Sequence, residues 1–234
     1  MAYFITGGTG FLGRFFIDKL REREGDIYVL TRRGSESKFE ALQERMGEQA
    51  DRLIPVTGDL CQPLLGLDEA TVADLKGNVS HFCHFAAIYD LKASAEAQIA
   101  TNIDGTRNAV QLAEAIDAGC FQHVSSIAAG GLYQGTWRED MFEEAENIEH
   151  PYFSTKHDSE GVVRNECKIP WRVYRPGMVV GHSKTGEIDK IDGAYYFFKS
   201  LQKIRNVLPP WFPLVGIEGG KFNVVPVDLS LIHI

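Results

Sequence analysis

Thr6-Gly7-Gly8-Thr9-Gly10-Phe11-Leu12-Gly13 is the stretch on which the reading of this chain turns. It follows the apolar run Tyr3, Phe4 and Ile5 and leads into Phe15, Phe16 and Leu20, which with Phe11 and Leu12 recur at helical spacing. Glycines at G-x-x-G-x-x-G spacing between a strand and a helix have three uses. They make a tight turn, let the backbone approach a pyrophosphate, and pack helix closely on strand. The helix N-terminus adds unpaired N–H donors and positive potential, so the stretch predicts a dinucleotide-binding loop. A structural glycine-rich turn has the same composition. The placement between first strand and first helix is what argues for the phosphate loop.

Outward from this loop, short apolar runs alternate with helical-period segments. Strands are expected at 3–5, 27–30, 53–56, 81–85, 121–124 and 171–174, with helices at 11–20, 38–46, 68–75, 95–118 and 152–166. That alternation predicts an α/β Rossmann fold, a doubly wound parallel sheet with helices on both faces. Residues 130–151 are acidic and irregular, with Glu139, Asp140, Glu143, Glu144, Glu146 and Glu149, and read as a surface excursion or lid. Beyond Arg175-Pro176-Gly177 the composition shifts to an aromatic helix with Tyr195, Tyr196, Phe197 and Phe198, then to Pro209, Pro210 and Pro213.

At 234 residues with 44% hydrophobic and 24% charged side chains, the chain has the balance of a globular protein, which excludes a disordered or fibrous one. The net charge of -8 leaves no basic face for phosphate neutralisation, so no nucleic-acid partner is expected. Cys61, Cys83, Cys120 and Cys167 lie far apart without a C-x-x-C pair, so no metal site and no disulfide framework are expected, and a reduced, cytoplasmic location fits. Met1-Ala2-Tyr3 carries no basic leader, and no apolar stretch reaches the roughly 20 residues of a membrane span.

At the end of the second strand, an acid suits the ribose of NAD and an arginine the 2′-phosphate of NADP. The chain has Thr31-Arg32-Arg33 there and no acid, which predicts NADP(H). Arg32 is the stronger candidate, with Arg33 assisting or facing solvent; two ordinary surface arginines are the alternative. The division expected is an NADP-binding Rossmann domain carrying the catalytic residues over 1–178 and a partial substrate-binding lobe over 179–234.

Tyr152-Phe153-Ser154-Thr155-Lys156 sets a phenol and an ammonium at i and i+4, on one face of a helix. A neighbouring cation lowers a phenol's pKa from about 10 and helps it carry a proton near neutrality. The spacing recurs at Tyr195 and Lys199, so context must separate the two. Tyr152 follows the fifth strand and Ser125-Ser126, at the carboxyl edge where such sheets bind ligands, whereas Tyr195 lies in an aromatic run where packing is the expected role.

These pieces, with Asp59 in Gly58-Asp59-Leu60, His84-Phe85-Ala86-Ala87, Asn102-Ile103-Asp104-Gly105-Thr106 and Arg175-Pro176-Gly177, together resemble the extended short-chain dehydrogenase/reductase family, in its order, from residue 3 to about 228. The excursion 130–151, the arginines of the second strand, and the segment from Val179 through Asp189-Lys190-Ile191-Asp192-Gly193 to Val225-Pro226-Val227-Asp228 resemble its fatty acyl-CoA and thioester reductase, or male-sterility-like, branch. The chain stops soon afterwards, and 229–234 is unlike the family's continuation, so it reads as a fragment with a complete cofactor half and an incomplete substrate pocket.

The resemblance implies roles residue by residue. Tyr152 is the general acid/base, Lys156 binds the nicotinamide ribose and depresses the tyrosine pKa, Ser126 hydrogen-bonds the substrate oxygen, and Asn102 supports a relay water near Lys156. Thr6, Gly7, Gly8, Thr9, Gly10, Phe11, Leu12 and Gly13 cradle the cofactor, Asp59 and Leu60 hold the adenine, Ala86 and Ala87 line it, and Pro176 and Gly177 face the nicotinamide. Asp59 as a turn residue and Asn102 as a helix N-terminal polar group are the plainer alternatives, and His84 is expected to pack or bond locally. The activity implied is NADPH-dependent reduction of an acyl thioester, long-chain acyl-CoA foremost, or of the derived aldehyde. The rivals are an epimerase, dehydratase or hydroxysteroid-type dehydrogenase with the same site, and a non-catalytic NADP-binding redox sensor. Residues 195–198 and 211–215 suit a lipid-lined pocket and a core or dimer face equally.

Overall fold

The computed structural model of the chain describes residues 1–89, 93–189, 194–209 and 223–233. Six strands, β1 Tyr3–Thr6, β2 Ile27–Thr31, β3 Leu53–Thr57, β4 His81–His84, β5 Phe121–Val124 and β6 Trp171–Tyr174, pair in parallel in the order β3-β2-β1-β4-β5-β6. β1 sits in the centre, with Tyr3 opposite Ile27 of β2 and His81 of β4. The winding reverses between β1 and β4, so the loops that follow these strands diverge and leave a crevice at the carboxyl edge of the sheet.

Strand alternation divides the core. Tyr3 and Ile5 face α1 (Phe11–Lys19) and α2 (Glu36–Met46), packing with Phe15, Phe16, Ile17, Phe39, Leu42 and Met46. Phe4 points to the other face, where Phe4, Phe82 and Phe121 stack across three strands at 4.8 and 5.3 Å between ring centroids. Over this second face lie α3 (Glu69–Leu75), the short α4 (Ala95–Gln98), α5 (Gly105–Ala115) and α6 (Pro151–Glu166), contributing Leu75, Ala109, Leu112 and Val163 to the core. Strands buried on both faces explain the apolar runs of the sequence.

The single helix expected over 95–118 is interrupted. A π-helical turn at Ile99–Asp104 separates α4 from α5. The Thr106 hydroxyl donates to the Asn102 carbonyl at 2.6 Å, and the turn presents the Asn102 side chain to the Ile88 backbone in the loop after β4. Apolar periodicity runs through such a turn without marking it. The acidic stretch 130–151 is irregular as expected, yet firmly attached: Met141 is buried, Leu132 N donates to Glu146 O at 2.8 Å, and Trp137 packs so closely on Gly130 that a β-carbon there would lie 2.8 Å from its ring.

Past β6 come β7 (Met178–Val180), α7 (Ala194–Val207), β8 (Val224–Pro226) and α8 (Val227–Ser230), with β7 and β8 paired in parallel. Val227 and Leu231 are buried against α1 in the first core, so this end of the chain packs on the dinucleotide half. Lys190, Ile191, Asp192, Gly193 and residues 211–215 lie outside the described residues. No described helix is long and apolar enough to cross a membrane. Among the described residues no group of three His, Cys, Asp or Glu side chains could hold a metal, and all four cysteines are free thiols.

Candidate functional site

The glycine loop has a physical reason at each glycine. Gly7 has φ +71°, and a β-carbon on it would lie 2.7 Å from the Ala86 nitrogen. Gly13 is buried, and its β-carbon would overlap the Gly7 carbonyl oxygen and come within 2.7 Å of the Gly8 α-carbon. Gly10, by contrast, is exposed at the N-cap of α1, with no side chain capping the helix and no acid in its first turn. The free N–H groups of α1 therefore open onto the crevice with positive potential, and Thr9, Phe11 and Leu12 beside them are partly exposed. Gly13→Ala is expected to lose about 1–3 kcal/mol of stability by overpacking, and dinucleotide affinity with it; urea denaturation and cofactor titration check both.

Arg32 and Arg33 are exposed just after β2. Asp59, just after β3, accepts a hydrogen bond from Cys61 N at 2.9 Å and so shapes its own turn, while Leu60 O accepts from Asn108 Nδ2 at 2.7 Å. Beyond β4, Ala86 and Ala87 lie against the loop after β1, with Ala86 N donating to Thr6 Oγ1 at 3.4 Å.

His84 bonds locally, as expected: Nδ1 is 2.7 Å from Thr6 Oγ1 and Nε2 is 3.1 Å from Thr106 Oγ1. Burial, with the Lys156 charge adding to it, pushes its pKa down to about 3, so it is a neutral clamp between β1, β4 and α5. Asn102 is likewise a clamp. Its Oδ1 accepts from Ile88 N at 2.7 Å, and its Nδ2 donates to Ile88 O at 3.0 Å and Thr155 Oγ1 at 3.2 Å, joining the loop after β4 to α6.

Ser126 and Tyr152 meet. Ser126 follows β5 and caps the turn Ile127–Gly130, its Oγ accepting from Ala128 N at 3.1 Å, so the hydroxyl proton remains free to be donated. Tyr152 stands in the first turn of α6, begun by Pro151 and capped by His150 Nδ1, which accepts from Tyr152 N at 3.1 Å. Burial raises the Tyr152 pKa and a hydrogen bond with Ser126 opposes this. Lys156, one turn on, is 6% exposed; burial pushes its pKa down to about 8 against the raising influence of Glu160. With that value Lys156 is still largely an ammonium near neutrality, and Ser126 is the group that opposes the effect of burial on Tyr152. Pro176 O accepts from Ile127 N at 3.1 Å, and Gly177 lies so near Asn223 that a β-carbon would come 2.8 Å from its carbonyl oxygen.

The second Tyr-x-x-x-Lys pair does something else: Tyr195 Oη accepts from Gly181 N at 2.8 Å, tying α7 to the segment after β7. Two features had no motif to mark them in the sequence. Ser125 donates to Glu160 Oε2 at 2.9 Å, which separates it from Ser126. His123, opposite His84 in register and stacked on it at 5.6 Å, has no partner at either ring nitrogen among the described residues.

Sheet order, glycine loop and the Ser126, Tyr152, Lys156 group define an extended short-chain dehydrogenase/reductase domain. Residues 5–234 match the family described as male sterility protein, and the chain belongs to that family, in the thioester reductase branch. It is 33% identical over 207 residues to a linear gramicidin synthase polypeptide of Brevibacillus parabrevis, covering 82% of this chain and 4% of that protein. It is 26% identical to the fatty acyl-CoA reductase wat of Drosophila melanogaster, covering 97% of this chain and 52% of the other. Among solved structures, the terminal R domain from the myxalamid PKS-NRPS biosynthetic pathway superposes with a TM-score of 0.79 at 28% identity, covering 98% of this chain and 60% of that one. The chain therefore spans a small fraction to about half of these curated relatives.

Proposed function

We propose that this chain is the cofactor-binding and catalytic part of an NADPH-dependent reductase of acyl thioesters, long-chain acyl-CoA foremost, or of the derived aldehyde. The observation that carries the reading is the meeting of Ser126 and Tyr152 beside buried Lys156, at the carboxyl edge of a sheet whose glycine loop leaves a helix N-terminus open. The residues fit a dinucleotide: a β-carbon at Gly7 or Gly13 would fill the turn, and Gly10 leaves the N–H donors of α1 uncovered. Thr6 to Gly13 hold its pyrophosphate, Asp59 and Leu60 its adenine, Arg32 with Arg33 its 2′-phosphate, Ala86, Ala87, Pro176 and Gly177 flank it, and Lys156 holds the nicotinamide ribose. NADPH, when bound, supplies the hydride that the carbonyl carbon receives.

The chain's own residues handle the oxygen. As negative charge develops there, Ser126 Oγ and Tyr152 Oη donate hydrogen bonds, and Tyr152 gives up its proton. Lys156 stabilises the tyrosinate that remains. Asn102 holds α6 and the loop after β4 together so that this geometry persists. We place the boundary of this unit at residue 178, with 179–234 beginning the substrate lobe.

Arg32→Ala is expected to cut the preference for NADPH over NADH by about 10- to 100-fold, the worth of one charged hydrogen-bonding partner; paired Kd measurements with both cofactors check it. The reading is tested with the full reading frame containing this segment, given NADPH or NADH with long-chain acyl-CoA, a carrier-bound acyl thioester, or the matching aldehyde. Oxidation of NADPH with either thioester supports it. Oxidation with aldehyde alone reduces the chain to a carbonyl reductase, and tightly retained NAD without turnover favours an epimerase.

A further inference from the structure

Glu160 is wholly buried, and its carboxylate is the most heavily bonded group near the site. Its Oε1 accepts from Arg164 Nε at 2.7 Å and Arg175 Nη2 at 2.6 Å, and its Oε2 from Arg175 Nε at 3.0 Å and Ser125 Oγ at 2.9 Å. These four bonds join three elements that carry the chemistry. Glu160 lies one turn beyond Lys156 and two beyond Tyr152 on α6, Ser125 precedes Ser126 after β5, and Arg175 precedes Pro176 and Gly177 after β6. The Arg175 fork continues outward, donating to Met141 O at 2.7 Å and Arg138 O at 3.1 Å and lying over the Trp137 ring at 5.2 Å. Arg164 lies over Phe142 at 4.8 Å, and His157 stacks on Phe142 at 4.2 Å. The excursion 131–149 is thereby held against α6.

A buried carboxylate needs compensation, and a single surface ion pair on α6 would supply little stability. The bidentate fork with a third and fourth donor is a costly arrangement to assemble for packing alone. We propose that Glu160 is a positioning residue of this reductase: through Arg175 and Ser125 it sets α6 against β5 and β6 so that Ser126 and Tyr152 converge, and through the Arg175 fork it anchors the 131–149 wall. This rests on the reductase reading above. The charged and titratable groups facing Lys156 are Tyr152 and Glu160 on its own helix, His84 on β4 and His123 on β5; burial holds both histidines neutral and raises the phenol pKa, so that the phenol too is uncharged. Glu160 is therefore the group whose charge favours the ammonium.

The experiment uses the full reading frame, with kcat followed from pH 6 to 10 alongside Tm and hydrogen exchange of residues 131–149. Glu160→Gln keeps the shape but removes the charge. It is expected to lower kcat about 10- to 100-fold through misplacement, to move the alkaline limb down by about one pH unit as Lys156 loses its proton earlier, and to speed exchange in 131–149. Ser125→Ala keeps every charge, so it should lower kcat at most about fivefold, one hydrogen bond's worth, with the limb unmoved. A folded Glu160→Gln enzyme with an unmoved limb overturns the proposal, as does an equal shift in Ser125→Ala. Should Glu160→Gln fail to fold, Arg175→Lys decides: it keeps the charge and loses the fork, so slower turnover with faster exchange in 131–149 supports the proposal and unchanged values reject it. A wild-type enzyme that reduces nothing sinks the reductase reading alone; Glu160 is then judged by exchange, where no change in 131–149 on Glu160→Gln removes its anchoring role.

Discussion

Tyr152→Phe is expected to lower kcat by about 10²- to 10⁴-fold, the usual contribution of a positioned proton donor. The ring stays, so the packing beside Phe153 and the start of α6 at Pro151 are kept, and the loss belongs to the hydroxyl. NADPH affinity should change little, because in the proposed reading the phosphates and adenine are assigned to the glycine loop and the ends of β2 and β3. Stopped-flow NADPH oxidation, with fluorescence titration of the cofactor, separates the two quantities. Near-normal turnover would remove Tyr152 from the chemistry and leave Ser126 as the lone donor to the oxygen.

Lys156→Met should abolish turnover to a similar extent and yet stabilise the cofactor-free protein. Burial holds the Lys156 pKa at about 8, below the unfolded value of 10.5, so the folded state binds fewer protons between those limits. Stability of the parent therefore rises as pH climbs from 8 to 10.5, and below pH 8 the full penalty of burying an ammonium is present. From the gap between those two values, that penalty is on the order of 3 kcal/mol at pH 7, and each kcal/mol corresponds to about 2–4 °C in Tm for a chain of this size. Glu160 keeps Arg164 and Arg175 when Lys156 is gone, so no uncompensated charge is left behind. Thermal unfolding at pH 7 and pH 10.5 tests the sign: the advantage of the variant should be present at the lower pH and vanish at the higher. A variant less stable than the parent at pH 7 would mean that the ammonium is held by attraction and not merely tolerated. Such a trade of stability for function is what a buried reactive group entails.

Much of this was written locally in the chain. Gly7 and Gly13 are required by a positive φ and by a contact six residues away, both consequences of a short turn between β1 and α1. β1 and β2 are legible because a sheet covered on both faces demands apolar runs there, whereas β4 and β5 carry buried His84, Gln122 and His123 among their apolar residues. Tyr152 and Lys156 share a helix face by spacing alone. The pair at Tyr195 and Lys199 has the same spacing and another use, because the bond from Gly181 to the Tyr195 hydroxyl depends on where β7 and α7 come to lie.

What spacing could not reveal is set by contacts distant in sequence. The π-helical turn carries Asn102, which bonds to Ile88 and Thr155, 14 and 53 residues away, and its apolar pattern is indistinguishable from a continuous helix. The division of labour between adjacent serines is decided by Glu160, which takes the Ser125 hydroxyl and leaves Ser126 facing Tyr152. The charge state of Lys156 belongs to the tertiary structure as well, since desolvation depends on how many groups surround the ammonium and not on its neighbours in the chain. Backbone conformation and helix faces follow from residues a few positions apart and so are carried by the sequence directly. Burial, pKa and the choice between like residues arise only when β4, β5, β6 and α6 are brought together.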